Sequence, residues 1–313
     1  MDRHSIFTGN KTASGPYKVF YTSKIMATIF LLASIAFSTC INLIFRWFKV
    51  FQIDKFQAII INYVVCFILG FSLSTHQNLL SYLDEPWFLY CILLGVLFIA
   101  IFFSMALTTD KLGISVTAVS GKMSVVVPVL FAYFFASEDI TFLFVIGLIL
   151  SILSIYFITV KKELHIDKRF LILPIIVFLG GGIIDTSLKV LQHAYSIDIP
   201  ISTLSYSIFL GAFITGSLVL LIKDKANFNA WKWKNVKAGI ALGVPNYFSI
   251  FFLLSAIEGF SVKSAFVFGV NNVGVVLVST LLSVLIFKEK LELKNKFGLL
   301  LAVICIAIIA YAS

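Results

Sequence analysis

Charge-poor apolar stretches recur from Ile25 to the C-terminus, each close to the length that carries a helix across a membrane. About 20 residues suffice to cross a ~30 Å hydrocarbon core as an α-helix. Ten such segments can be drawn: 25–46, 56–74, 87–108, 113–136 and 140–160, then 170–191, 200–222, 236–257, 262–287 and 294–312. Composition agrees, with 60% hydrophobic residues and only 12% charged, about half the charged fraction of a soluble domain. The expected fold is therefore an all-α integral membrane protein.

The formal charge of +9 does not point to nucleic acid. Lys and Arg of a membrane protein collect in loops that face the cytoplasm and its anionic lipids. The longest pieces outside the spans are the N-terminal tail and "KDKANFNAWKWKNVK" at 223–237, and neither is large enough for a nucleic-acid-binding or enzymatic domain. Cys40, Cys66, Cys91 and Cys305 all fall in apolar segments without metal-type spacing and read as small hydrophobes. The apolar run after the tail continues through "ASIAFSTC" into "INLIF", so a cleavable signal is not expected, although "FSTC" faintly resembles a lipoprotein cleavage site.

The second half echoes the first. Asp54 in "QID" matches Asp198 in "SID" at an offset of 144, and Trp87 with Gly95 matches Trp231 with Gly239 at the same offset. Glu138 and Gly147 match Glu289 and Gly298 at an offset of 151. These landmarks divide the chain into a polar tail (1–24), a first five-helix repeat (25–160), a basic linker (161–169) and a second five-helix repeat (170–313). Five is odd, so the second copy enters the membrane from the opposite side. The expected architecture is two inverted repeats around a central cavity, with a site near the midplane where the copies meet.

Ten spans put both termini on one face. That face carries Arg3, Lys11, Lys18, Lys24, Lys189 and Lys263, whereas most other Lys and Arg, including "KKELHIDKR" and "KEKLELKNK", lie opposite. The positive-inside rule then places the termini outside. The basic tail pulls the other way.

Lys122, in "VSGKMSVVVPVL", has no charged neighbour between Lys111 and Glu138. An ammonium near the bilayer centre costs roughly 2.5–3.5 kcal/mol on insertion scales and persists facing water or a partner. Lys122 is therefore a candidate substrate or proton site, or one member of a structural ion pair. At the offset of 151, Ser120-Gly121-Lys122 falls opposite Asn271-Asn272-Val273. Two intramembrane polar clusters thus occupy the same place in each copy. Asn271 and Asn272 could line the cavity or act as interhelical glue.

Asp185 and Lys189 in "GGGIIDTSLKVL" are spaced i,i+4, the favourable order for a local ion pair. Asp185 could equally neutralise Lys122 or carry a proton. Asn42 and Arg46 form a cognate pair in the first span. Pro128 and Pro245 interrupt the fourth and eighth spans and free carbonyls. Asn246 and Tyr247 follow Pro245 and join the candidate substrate-binding set. Asn62, Tyr63 and Tyr206 add polar groups that read as packing or hydrogen-bonding residues. Gly180 to Gly182 and Gly239 to Gly243 allow close helix approach.

The chain has no G-x-x-x-x-G-K-[ST] loop and no H-E-x-x-H, and its His residues flank the spans. Neither an enzymatic activity, a cofactor nor a metal is expected.

The duplicated unit and the stretches closing each half, 113–158 and 264–311, resemble the drug/metabolite transporter superfamily, in its EamA-like ten-helix branch. Gly113, Pro128, Glu138 and Gly147 fit the pattern in the first copy. Ser264, Glu289 and Gly298 fit it in the second, with Ser279 where a Pro would stand. The resemblance covers 25–313 and implies a helix bundle around a cavity walled by the fourth and ninth spans. It also implies alternating access and transport of small organic solutes, commonly export of amino acids or related metabolites, with both termini cytoplasmic. The expectation is a plasma (inner) membrane secondary transporter of a small polar solute, with the bilayer and a small molecule as partners and monomer and homodimer both open. A proton-coupled drug or lipid-precursor exporter is the alternative, and a non-transporting membrane subunit is the rival of another class.

Overall fold

In a computed structural model, the structure describes residues 24–74, 82–112, 120–135, 141–159, 170–195, 199–224, 232–260, 264–288 and 291–312. Among them the chain is helical, with no strand. The elements are α1 (Lys24–Val50), α2 (Lys55–Leu73), α3 (Pro86–Leu112), α4 (Val126–Phe135), α5 (Phe142–Thr159), α6 (Ile172–Tyr195), α7 (Ile201–Asp224), α8 (Trp233–Gly259), α9 (Ser264–Phe287) and α10 (Leu293–Ala312). Seven helices among the described residues, α1 to α3 and α6 to α9, are long and apolar enough to cross a membrane. This is the architecture of a multi-pass helical membrane protein. The tail, the basic linker, Gly113, Glu138, Asp198, Trp231, Glu289 and the side chain of Arg46 lie outside the described residues.

Local chemistry sets the helix ends. Asp54 accepts the amides of Phe56 (2.9 Å) and Gln57 (3.2 Å) and starts α2, as an N-cap carboxylate does. After α1, Gln52 takes a left-handed φ of 48°. The Lys234 ammonium then donates to the carbonyls of Phe51 (3.1 Å) and Gln52 (3.0 Å), so the start of α8 closes the end of α1.

The fourth span, expected over 113–136 with an interruption at Pro128, is broken ahead of the proline rather than at it. Residues 120–123 are helical, Ser124–Val125 form a turn, and α4 begins at Val126. Pro128 has no N–H to offer the carbonyl of Ser124, four residues back. That carbonyl accepts from Val127 instead (3.0 Å), and the chain tightens ahead of the proline. Pro245, by contrast, lies inside an unbroken α8.

Glycines set the closest approaches. A Cβ on Gly95 of α3 would collide with backbone atoms of Ile208 and Ala212 in α7, and one on Gly239 of α8 would come within 2.6 Å of the Ala58 carbonyl in α2. The main pairings are α1 with α8, α3 with α6, α2 with α8, α3 with α7, α1 with α9, α9 with α10, α4 with α6, α2 with α7, and α5 with α10. Exchanging each helix for the one five places along maps every one of these pairings except α9 with α10 onto a member of the same set.

Directions follow from individual contacts. Ser34, Ile35 and Asn42 of α1 meet Asn271, Gly274 and Ser279 of α9 in the same order, so these helices run parallel. Gly121, Ser124 and Val127 meet Val177, Gly181 and Gly182 likewise, and α4 runs with α6. Phe30 and Phe37 of α1 meet Phe252 and Phe248 of α8 in reverse order.

Helices α5 and α10 are also antiparallel, and their contact is reciprocal. A Cβ on Gly147 would meet the Ile309 side chain at 2.9 Å, and one on Gly298 would meet the Ile158 side chain at 2.9 Å. Both pairs of equivalent positions differ by 151. Large apolar side chains such as Ile25, Leu32, Phe142, Leu285 and Leu300 point outward and are exposed, more than a water-soluble surface would leave uncovered.

Candidate functional site

The segment 120–123 brings Lys122 against α9, where its Nζ donates to Asn272 Oδ1 at 3.2 Å. The expected juxtaposition of the two polar clusters is thus present as a direct hydrogen bond. Asp185 of α6 lies within electrostatic reach of Lys122, from a third element. Both side chains are half-buried, enclosed among helices while keeping part of their surface accessible. Gly181 lets α6 come close here, because a Cβ would lie 3.1 Å from the Ser124 hydroxyl. Ser120 is buried beside Lys122.

Asn271 turns to the other side of α9. The Ser34 hydroxyl of α1 is shared between Asn271 Oδ1 (3.1 Å) and the Ser249 carbonyl of α8 (2.9 Å). The Ser249 hydroxyl donates to the Asn246 carbonyl one turn back (2.8 Å). Asn246 Nδ2 in turn donates to Asn62 Oδ1 of α2 at 3.0 Å, and the Cys66 thiol donates to the Gly243 carbonyl at 3.3 Å. A line of buried polar groups therefore runs from α9 through α1 and α8 to α2.

Ser34 was not anticipated. A serine in "LLASIAF" is indistinguishable in sequence from a small packing residue, and only the register of α1 against α9 gives it a partner.

Of the other candidates, Asn246 and Tyr247 lie in the packed α2–α8 interface, both buried. Asn246 is bonded to Asn62, and the Tyr247 ring packs on Phe209, Phe248 and Phe251. The Tyr63 ring packs on Phe102 and on the same Phe209. The hydroxyls of Tyr63 and Tyr247 are buried and find no hydrogen-bond partner among the described residues. Lys189 is buried one turn beyond Asp185. Asn42 is exposed and donates to Ser279 Oγ at 3.0 Å. No cluster of three or more metal-ligating side chains occurs among the described residues.

Chemically, the centre offers a cation with neutral amide and hydroxyl groups around it and one carboxylate nearby. An ammonium has three donors and Asn272 occupies one of them, which leaves Lys122 able to receive an anionic group.

No family model matches the chain. It is 26% identical over 292 residues to an uncharacterized protein of Haemophilus influenzae, covering 90% of this chain and 97% of that one. A crystal structure of a protein superposes with a TM-score of 0.74 at 13% identity, covering 91% of this chain and 96% of the other. The likeness extends over nearly the whole length of both, and at that identity it is a likeness of fold.

Proposed function

We propose that the chain is a secondary transporter of a small polar organic solute, built as two inverted five-helix repeats in the drug/metabolite transporter manner. The observation that carries this reading is the Lys122–Asn272 bond at 3.2 Å. It joins equivalent places of the two halves, inside a bundle where an ammonium is expensive to keep. Polar groups placed where two repeats meet are what a carrier uses to hold its cargo.

The helix directions support ten alternating crossings. Pairs of like parity, α1 with α9 and α4 with α6, run parallel. Pairs of unlike parity, α1 with α8 and α5 with α10, run antiparallel. The pairings that map onto one another under a five-helix shift, all the main ones but α9 with α10, support the repeat, as does the reciprocal α5–α10 contact. In this reading Lys122 receives an anionic group such as a carboxylate, Asn271, Asn272 and Ser120 complete the wall, and Asp185 sets the charge of the empty site. Asn246 and Tyr247 hold the α2–α8 interface rather than the cargo.

The test is uptake into proteoliposomes, with the solute chosen by a thermal-shift screen of amino acids, organic acids, nucleosides and sugar phosphates. Lys122→Gln is expected to lower apparent affinity or rate by roughly 10–100-fold, the value of a hydrogen bond to a charged group. Unchanged uptake would sink the assignment. A rate that follows an imposed proton gradient would favour the proton-coupled exporter, for which the placing of Asp185 within electrostatic reach of Lys122 is the support.

A further inference from the structure

Resting on the transport reading, we infer that the solute reaches Lys122 from the end of the bundle where α1 and α9 finish. Its way in is a water-filled mouth walled by Asn42 and Ser279, and the opposite end is closed by packed side chains.

Helix α1 carries the first observation. Ile25, Ile29, Leu32, Ala36 and Cys40 are exposed and recur every three or four residues, so they form one stripe. Its apolar character fits the lipid side of a membrane span. Ala27, Leu31 and Ile35 lie on the inward side and are buried, with Ile35 against Gly274 of α9. Asn42 stands eleven residues after Leu31 and seven after Ile35, which continues the inward stripe. Its bond to Ser279 confirms that it faces α9. Asn42 is nevertheless exposed. Two residues turn a helix by about 200°, so Cys40 and Asn42 are exposed on opposite sides of α1. Lipid accounts for one of the two. The other presents a side-chain amide toward the bundle, and polar groups at that depth persist facing water or a partner.

Helix α9 shows the same change along its length. Ala265, Phe268 and Asn272, at intervals of three and four, are buried. Ser279 follows Asn272 by seven residues, about 10 Å along the same stripe, and keeps part of its surface accessible. Leu281, turned to the other side, is exposed as a lipid-facing residue would be. The two helices run parallel, so both open at one end, the end at which Lys234 closes α1. Lys122, bonded to Asn272, also keeps accessible surface, which joins the mouth to the site.

The test reads water access with cysteines, because a charged methanethiosulfonate reagent modifies thiolates that water reaches. Asn42→Cys and Ser279→Cys place a thiol at the mouth. Ala27→Cys and Ala265→Cys place one at the closed end with little change of volume. The wild type is the reference, with Cys40 on the lipid side and Cys66, Cys91 and Cys305 buried. Full-length protein in lipid nanodiscs, where both faces meet solvent and lipid covers the sides, is treated and its intact mass followed. Both mouth variants are expected to gain a modification that the wild type and the closed-end variants do not gain in the same time. In proteoliposomes, modifying either mouth variant is expected to abolish uptake that the unmodified variant supports.

Reaction at Ala27→Cys, Ala265→Cys or wild-type Cys40 as fast as at the mouth overturns the inference. So does a failure of both mouth variants to react, or uptake that survives their modification. Ser279→Cys decides the matter if Asn42→Cys fails to fold. Wherever solute still moves, the transport reading stands. The expected modification pattern with no uptake of any solute in the wider screen overturns the transport reading, and the solute path with it.

Discussion

Asn246 of α8 donates its side-chain amide to the Asn62 carbonyl oxygen of α2 at 3.0 Å, with both residues buried. The bond sits beside a close approach of these helices, where Gly243 faces Val65 and the Asn62 backbone carbonyl. It ties together two helices that run side by side, and it relieves two amides that would otherwise be stranded in an apolar interior.

Breaking it from one side leaves a buried amide without its partner. Asn246→Leu or Asn62→Leu alone is expected to cost about 1–3 kcal/mol, read as a lower Tm in detergent. The double substitution is expected to cost less than the sum, because both polar groups leave together. Additive losses would mean that the two amides do not act as a pair.

The tyrosines beside them should behave in the opposite way. The buried hydroxyls of Tyr63 and Tyr247 have no partner among the described residues, so Tyr63→Phe and Tyr247→Phe remove a desolvated group without breaking a bond. Thermal stability is expected to stay level or rise, by up to about 1 kcal/mol per site. A clear loss of stability would reveal a bridging water or solute at these hydroxyls.

Glycines divide by what surrounds them. Gly95→Ala forces a methyl into the backbone of α7, which cannot yield as a flexible side chain would. A Cβ on Gly269 would lie 3.5 Å from the Ile309 side chain, an ordinary contact. Gly95→Ala is expected to destabilise by about 1–3 kcal/mol through overpacking, despite alanine's higher helix propensity. Gly269→Ala should be neutral or gain up to about 1 kcal/mol from that propensity. Paired melting curves of the two variants decide the point.

Asn295 joins two helix ends in one side chain. Its Nδ2 donates to the carbonyls of Phe157 (2.9 Å) and Ile158 (3.0 Å) at the end of α5, while its Oδ1 accepts the Glu292 amide (3.0 Å) ahead of α10. Asn295→Ala strips all three and is expected to cost about 1–2 kcal/mol, in the range of a lost cap. Differential protease sensitivity near 159 and 292 would locate the loosening.

Much of the framework was legible in the chain itself. The apolar runs mark the helices to within a few residues because lipid leaves the backbone one economical conformation. The place of Lys122 against Asn272 was readable from the offset of 151, which sets Ser120-Gly121-Lys122 level with Asn271-Asn272-Val273. What escaped was rotational register. Nothing in "VPNYFS" says that Asn246 faces Asn62 rather than a cavity, and nothing in "CINLIF" says that Asn42 meets Ser279. The position of the break in the fourth span was also missed. Pro128 marks its own place in sequence, but the missing amide is felt one turn earlier, at Ser124.

The reciprocal meeting of Gly147 with Ile309 and Gly298 with Ile158 has a bearing on assembly. The first half carries a notch at Gly147 and a ridge at Ile158, and the second half carries the same two in the same order. Either half therefore owns both parts of the seam and could close it with its own copy in the opposite orientation. The four residues of that seam all belong to α5 and α10, so the halves are matched there by shape, beyond being tethered by the chain.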